Sequence, residues 1–139
     1  MSVVNLEIIT PEKVSHKDVV DSITVPGTKG GFQILKDHAP LMSTIDTGIL
    51  VVKKENETQY FTTSDGTIEV LNNDVLILVD SLEKVEEIDV DRAERAKQRA
   101  EERLAKKNTE KIDVARAEAA LKRAINRISA TSKIADLRK

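Results

Sequence analysis

The chain contains no cysteine and no tryptophan, and its 139 residues include only three aromatic side chains, Phe32, Tyr60 and Phe61. Without cysteine there is no disulfide, no thiolate nucleophile and no Cys-ligated zinc, and a reducing compartment suits the chain. So few rings exclude a module that reads bases by stacking. Long apolar runs are also missing: a run such as Val75–Val79 extends over five residues, against the roughly 20 needed to cross a bilayer. No basic-then-apolar segment opens the sequence, so a mature, unexported protein is expected. Neither sign of charge dominates. The 22 basic and 24 acidic residues leave a net −2, which gives the chain as a whole no polyanion-binding signature. The length suits one domain, or one small domain with an appendage.

What is present is distributed unevenly. All five glycines and all three prolines precede residue 67, whereas every arginine follows residue 91 and eleven of the twelve alanines follow residue 92. Residues 1–80 hold six lysines and twelve acids, a net −6; residues 81–139 hold sixteen bases and twelve acids, a net +4. The near-neutral total therefore hides an acidic part and a basic part. The acidic part reads as strands. Val4, Leu6 and Ile8 alternate with Asn5 and Glu7, Val20, Ser22 and Thr24 interleave with Asp21, Ile23 and Val25, and further β-rich runs lie at Gly48–Lys53, Thr58–Thr63, Thr67–Leu71 and Val75–Asp80. Breaks fall at Pro26-Gly27, Gly30-Gly31, Asn56, Ser64-Asp65-Gly66 and Asn72-Asn73-Asp74. Short β-branched runs so punctuated predict a sandwich or flattened barrel.

The basic part reads as two helices. Small or apolar residues recur at Ala93, Ala96, Ala100 and Leu104, and again at Val114, Ala117, Leu121, Ala124 and Ile128, each a helix face. The polar link Lys106–Glu110 predicts an antiparallel hairpin. The two helices repeat one another: Ile88–Ala100 and Ile112–Ala124 are identical at nine of thirteen positions, at an offset of 24. Asp89 and Asp113 suit N-caps, with Ile88 and Ile112 at the preceding hydrophobic position. Alanine stripes permit close approach but bury little area, at about 25 cal/mol per Å². The hairpin is therefore expected to be helical by propensity and only weakly held in its folded-back pose.

Catalysis is poorly served. The two histidines, His16 and His38, form no metal-ligand cluster with cysteine, and His38 lies in a loop before a strand. Ser64-Asp65-Gly66 is a turn signature, and Gly27–Gly31 lacks the Gly-Lys-Ser/Thr ending of a phosphate loop. A non-catalytic protein is expected. On the helices Arg92, Arg95, Arg99, Arg103, Arg116, Lys122, Arg123 and Arg127 interleave with Glu94, Glu101, Glu102 and Glu118. This is the pattern of a solvated helix surface, or of one that docks on an acidic protein surface or on nucleotide phosphates. The interleaved acids count against nucleic acid. An adaptor or chaperone that uses the hairpin as a clamp is the alternative reading of such helices.

The order of motifs resembles the epsilon subunit of bacterial and plastid F-type ATP synthase. It is carried by Leu6–Pro11, Gly31-Phe32-Gln33-Ile34-Leu35, His38-Ala39-Pro40-Leu41, Asp46-Thr47-Gly48-Ile49-Leu50, Ile88-Asp89-Val90-Asp91-Arg92-Ala93 and Leu121–Arg127, and it covers essentially the whole chain. Departures are Asp65-Gly66-Thr67, where the family commonly has Gly-Gly-Phe after the turn serine, and Lys36-Asp37 in place of Pro-Gly before the histidine. The resemblance implies an α+β fold, with a β-sandwich of about ten strands over residues 1–85 and an antiparallel helical hairpin over 86–139. It implies a non-catalytic rotor subunit with no required cofactor or metal. The sandwich would bind the gamma subunit and the c-ring; the hairpin would reach the alpha/beta catalytic ring and inhibit ATP hydrolysis. It would sit peripherally on the cytoplasmic side of a bacterial cell membrane, a thylakoid being less favoured. Some members bind ATP as a regulatory ligand through Ile/Leu-Asp-x-x-Arg-Ala, matched here by Ile88, Asp89, Arg92 and Ala93. Arg99, Arg123 and Arg127 fall where the other contacts are expected, with Glu83 a further candidate.

Overall fold

A computed structural model describes residues 3–137, arranged as two compact units that divide between Lys84 and Val85. The first is a sandwich of two five-stranded sheets. The strands are β1 Val4–Thr10, β2 Lys13–Val20, β3 Ser22–Val25, β4 Phe32–Ile34, β5 Leu41–Ile45, β6 Gly48–Lys54, β7 Glu57–Thr63, β8 Gly66–Leu71, β9 Asp74–Val79 and β10 Leu82–Lys84. One sheet has the order β2-β1-β9-β8-β5 and the other β10-β7-β6-β3-β4. All pairings are antiparallel except β1 with β9. The period-two alternation sets which side chains turn inward. Val4, Leu6, Ile8, Ile68, Val70, Val75, Ile77 and Val79 of the first sheet share one core with Ile23, Val25, Ile34, Leu50, Val52 and Phe61 of the second.

The run Val20–Val25, expected as a single strand, is divided at Asp21. Val20 pairs with Val4 in the first sheet, whereas Ser22 pairs with Lys53 in the second. Val20, Ser22, Ile23 and Val25 are buried while Asp21 and Thr24 are half-buried, because the chain changes sheets at Asp21 and so buries side chains on both sides of the crossing. The Asp21 N–H donates to the Lys53 carbonyl at 2.8 Å, fixing the crossing. Sequence patterning also missed β2 before Val20, because its residues from Lys13 to Val19 are exposed or half-buried and show no apolar alternation, and the three-residue edge strand β10.

The turns use side chains to hold positive φ. Asn72 (φ 50°) and Asn73 (φ 66°) make the two-residue link between β8 and β9, the geometry of a type I′ hairpin. In the β6–β7 link it is Glu55 (φ 55°) that takes positive φ, and its N–H is held by the Asp21 carboxylate at 2.7 Å. Asn73 also accepts the Asp37 N–H at 2.7 Å, tying the β4–β5 loop to the β8–β9 turn. Gly66 begins β8 where the chain passes close to β9. A Cβ there would run into the Leu78 carbonyl oxygen and lie 2.6 Å from Val79 Cγ1.

The second unit contains a 3-10 turn at Val85–Glu87 and two helices, α1 Val90–Ala105 and α2 Val114–Leu137, packed as a hairpin. Its buried residues are Val85, Ala93, Ala100, Ala117, Ala124, Ala130 and Ile134. Five of these seven are alanine, so the small-residue seam expected from the spacing is present. Val114, Leu121 and Ile128 are half-buried, and α2 continues nine residues past Ile128.

Gly66→Ala is expected to destabilise the sandwich by about 1–3 kcal/mol, because the clash is with backbone and with a core valine. Urea unfolding followed by Tyr60 fluorescence measures the shift.

Candidate functional site

Asp89 and Asp113 cap their helices in the same way. Each carboxylate Oδ1 accepts a backbone N–H at 3.1 Å, from Arg92 and Arg116 respectively. Asp89 is extended (φ −84°, ψ 101°), and its carbonyl accepts the first helical bond, from the Ala93 N–H at 3.0 Å. The Ile88 N–H donates to the Val85 carbonyl, setting the entry to α1. Thus Asp89, Arg92 and Ala93 of the motif are a cap, the residue whose N–H it receives, and a buried seam residue. One oxygen of Asp89 is committed to the backbone.

The arginines follow from the helix phase. Arg92, Arg99, Arg116 and Arg123 each immediately precede a buried alanine (Ala93, Ala100, Ala117, Ala124). Positions seven apart lie on one helix face, and in an antiparallel pair equivalent flanks of the two seams point to the same side. Arg92 and Arg99 of α1 therefore share one edge of the hairpin with Arg123 of α2. Arg127 lies one turn beyond Arg123 and closer to the seam. Arg92 and Arg99 are exposed; Arg123 and Arg127 are half-buried. Guanidinium groups on one edge suit an oxyanion with several oxygens, because their planar forks bind phosphate bidentately. Arg116, on the same edge, was named among the basic residues of the helices but not among the ATP contacts, although the 24-residue repeat makes it the counterpart of Arg92. Glu83 is half-buried in β10 opposite Thr62, and so belongs to the sandwich unit rather than to the hairpin.

A second surface lies on the outer face of the first sheet. Register places Ile9 of β1 beside Leu78 of β9 and Val14 of β2, while Leu76 and Met42 both oppose Glu69. Met42 is 79% exposed and Leu78 44% exposed. Exposed large apolar side chains concentrated on one sheet face mark an interaction surface. His38, by contrast, turns its Nδ1 to its neighbour's carbonyl, Ala39 O, at 2.7 Å and belongs to the β4–β5 turn. Among the described residues no group of His, Asp and Glu could hold a metal ion. No helix among them is long and apolar enough to cross a membrane.

An acidic β-sandwich followed by a basic-edged, alanine-seamed hairpin defines a two-part protein with a candidate binding surface on each part. Two family models match it in that order: "ATP synthase, Delta/Epsilon chain, beta-sandwich domain" over residues 3–85, and "ATP synthase, Delta/Epsilon chain, long alpha-helix domain" over residues 86–132. The chain belongs to the ATP synthase delta/epsilon chain family. It is 46% identical over 104 residues to the ATP synthase epsilon chain of Carboxydothermus hydrogenoformans, covering 75% of this chain and 78% of that one. The epsilon chain of Pelotomaculum thermopropionicum is 45% identical over 102 residues, covering 73% and 76%. Its fold is that of a chain in the Euglena gracilis mitochondrial ATP synthase (OSCP/F1/c-ring), with a TM-score of 0.78, 21% identity, and 94% and 82% of the two chains covered. A chain from the central stalk/c-ring of the Tetrahymena thermophila enzyme gives a TM-score of 0.61 at 17% identity, covering 95% and 96%. These findings support a synthase subunit and not the adaptor clamp.

Asp89→Ala and Asp113→Ala are each expected to cost the hairpin about 1 kcal/mol through loss of the cap. Thermal melts followed by far-UV circular dichroism read the loss, and similar shifts for the two variants are expected from their matching geometry.

Proposed function

We propose that this chain is a non-catalytic rotor subunit in the central stalk of a proton-translocating F-type ATP synthase, needed for coupling and able to restrain ATP hydrolysis through its helical hairpin. The observation that carries this is the agreement of both family models, in order, with a sandwich and a hairpin over residues 3–132. The gamma subunit, the c-ring and the alpha/beta catalytic ring are the partners. The apolar outer face of the first sheet, around Ile9, Met42, Leu76 and Leu78, is the seat for the shaft. Such a subunit joins a membrane complex peripherally, on the cytoplasmic side in a bacterium.

The hairpin supplies the regulation. Its seam is mostly alanine and buries little apolar area, so opening it costs little. Once open, its basic edges suit an acidic partner surface. ATP is the regulatory ligand: Arg92 and Arg99 on α1 and Arg123 and Arg127 on α2 meet its phosphates, with Ile88, Asp89 and Ala93 forming the motif at the start of α1 beside them. An anion that engages both helices stabilises only the closed hairpin and shifts the population away from the inhibitory form. At a ligand concentration 100-fold above Kd this contributes about 2.7 kcal/mol, a large bias for so thin a seam.

Arg92→Ala and Arg123→Ala are expected to weaken ATP binding by about 1–3 kcal/mol each, the range for a lost hydrogen bond involving a charged group. Calorimetric titration measures this, and unchanged affinity removes the residue from the site. The functional test adds the full chain, or residues 1–87, to a synthase stripped of this subunit. Suppression of hydrolysis by the full chain alone is the expected result; binding without suppression by either refutes the inhibitory role of the hairpin.

A further inference from the structure

One side chain on the inner face of β2 departs from the chemistry of the sandwich. His16 stands opposite Ile8 in the β1–β2 register, and its ring meets Phe61 edge to face, with centroids 5.2 Å apart and planes at 64°. Its Nε2 is buried and has no hydrogen-bond partner. A neutral imidazole tolerates that position at modest cost. An imidazolium would place a charged N–H where no acceptor meets it, which is far more expensive.

The charges that face the ring are Asp18 on β2 itself, Lys54 at the end of β6 and Lys84 at the end of β10. The neighbouring positions on β1 and β7 are the apolar Ile8 and Phe61. Asp18 favours the cation, but its carboxylate is held by Lys54 Nζ at 2.8 Å. That ion pair links β2, an edge strand of one sheet, to β6 of the other. Burial, with Lys84 and Lys54 reinforcing it, holds the His16 imidazole below its ordinary pKa against the pull of Asp18.

We propose that His16 is an acid-sensitive latch: taking up a proton, it loosens β2 from the sandwich and releases the Asp18–Lys54 clamp between the two sheets. The closed edge carries the neutral ring, whereas the opened edge titrates near the ordinary value of about 6.5. The open form therefore binds the proton more tightly. Stability of the edge is complete above that value and falls as pH drops through it toward the lower pKa of the closed form. Asp18 does not blur this window, because Lys54 holds its carboxyl below the usual carboxylate range.

The test is nuclear magnetic resonance on the full chain, following the two histidines and the amide exchange of β2 from pH 8 to pH 5. His16 is expected to titrate below its ordinary value. Protection of the β2 amides, corrected for intrinsic exchange, is expected to fall by up to about tenfold per pH unit, the limit for one proton, while the β6–β7 hairpin keeps its protection. His16→Gln removes that dependence. Lys54→Met raises the His16 midpoint, since Asp18 then faces the ring unpaired. An ordinary or raised His16 midpoint, flat β2 protection, or an unchanged pH slope in His16→Gln overturns the proposal. Should the glutamine variant fail to fold, the titration and exchange of the unaltered chain decide.

Discussion

Side-chain volume at the buried positions separates the two halves of this molecule and governs what each can do. In the sandwich the inward positions are leucine, isoleucine and valine from eight strands, closed by a single ring, Phe61, and sixteen of them form one core. In the second unit five of the seven buried positions are alanine. Apolar area removed from water is the main favourable term in folding. The first unit therefore has the means to persist as a platform, while the second holds its shape mainly through helix propensity and caps. A rigid binding piece and a conditional one are thus written into the same chain by residue size.

The caps and the seam work together. Asp89 and Asp113 start helices that are in phase, so the alanines meet and the arginines before them are carried to one edge. The 24-residue repeat is the sequence record of that arrangement: the same cap, the same seam and the same flanking arginine, twice. A polyanion bound on that edge would act on the element with little apolar burial of its own, which is where modest binding energy has the most leverage.

Much of this is legible in the sequence. The alternation in β1, β8 and β9 and the asparagine turn at Asn72-Asn73 carry their structure locally, as do the helix stripes and both caps. What was not legible depends on partners distant in sequence. β2 looks polar because half its residues face outward at an edge. The division at Asp21 is invisible, since both sides of the crossing are buried. Glu55 takes the strained turn position beside Asn56 only because Asp21, 34 residues earlier, receives its N–H. For the candidate site, the seam and the cap could be read from spacing. The shared edge of the arginines emerges only when the two helices are paired.

The parallel pairing of β1 with β9 bears on how the chain is made. Asn5 sits beside Asp74, 69 residues away. β1 lies inside its sheet rather than at the rim, so after leaving the ribosome it has no permanent neighbour on one side until β9 has also been synthesised. Non-local pairing of this kind slows folding, whereas helices form on the microsecond scale or faster. During that interval β1 and β2 are expected to exist as a hairpin with Leu6 and Ile8 uncovered, the stage at which a nascent chain most needs protection from its neighbours. The strand order that gives the finished sandwich its closed interior thus sets the period in translation when this protein is most vulnerable.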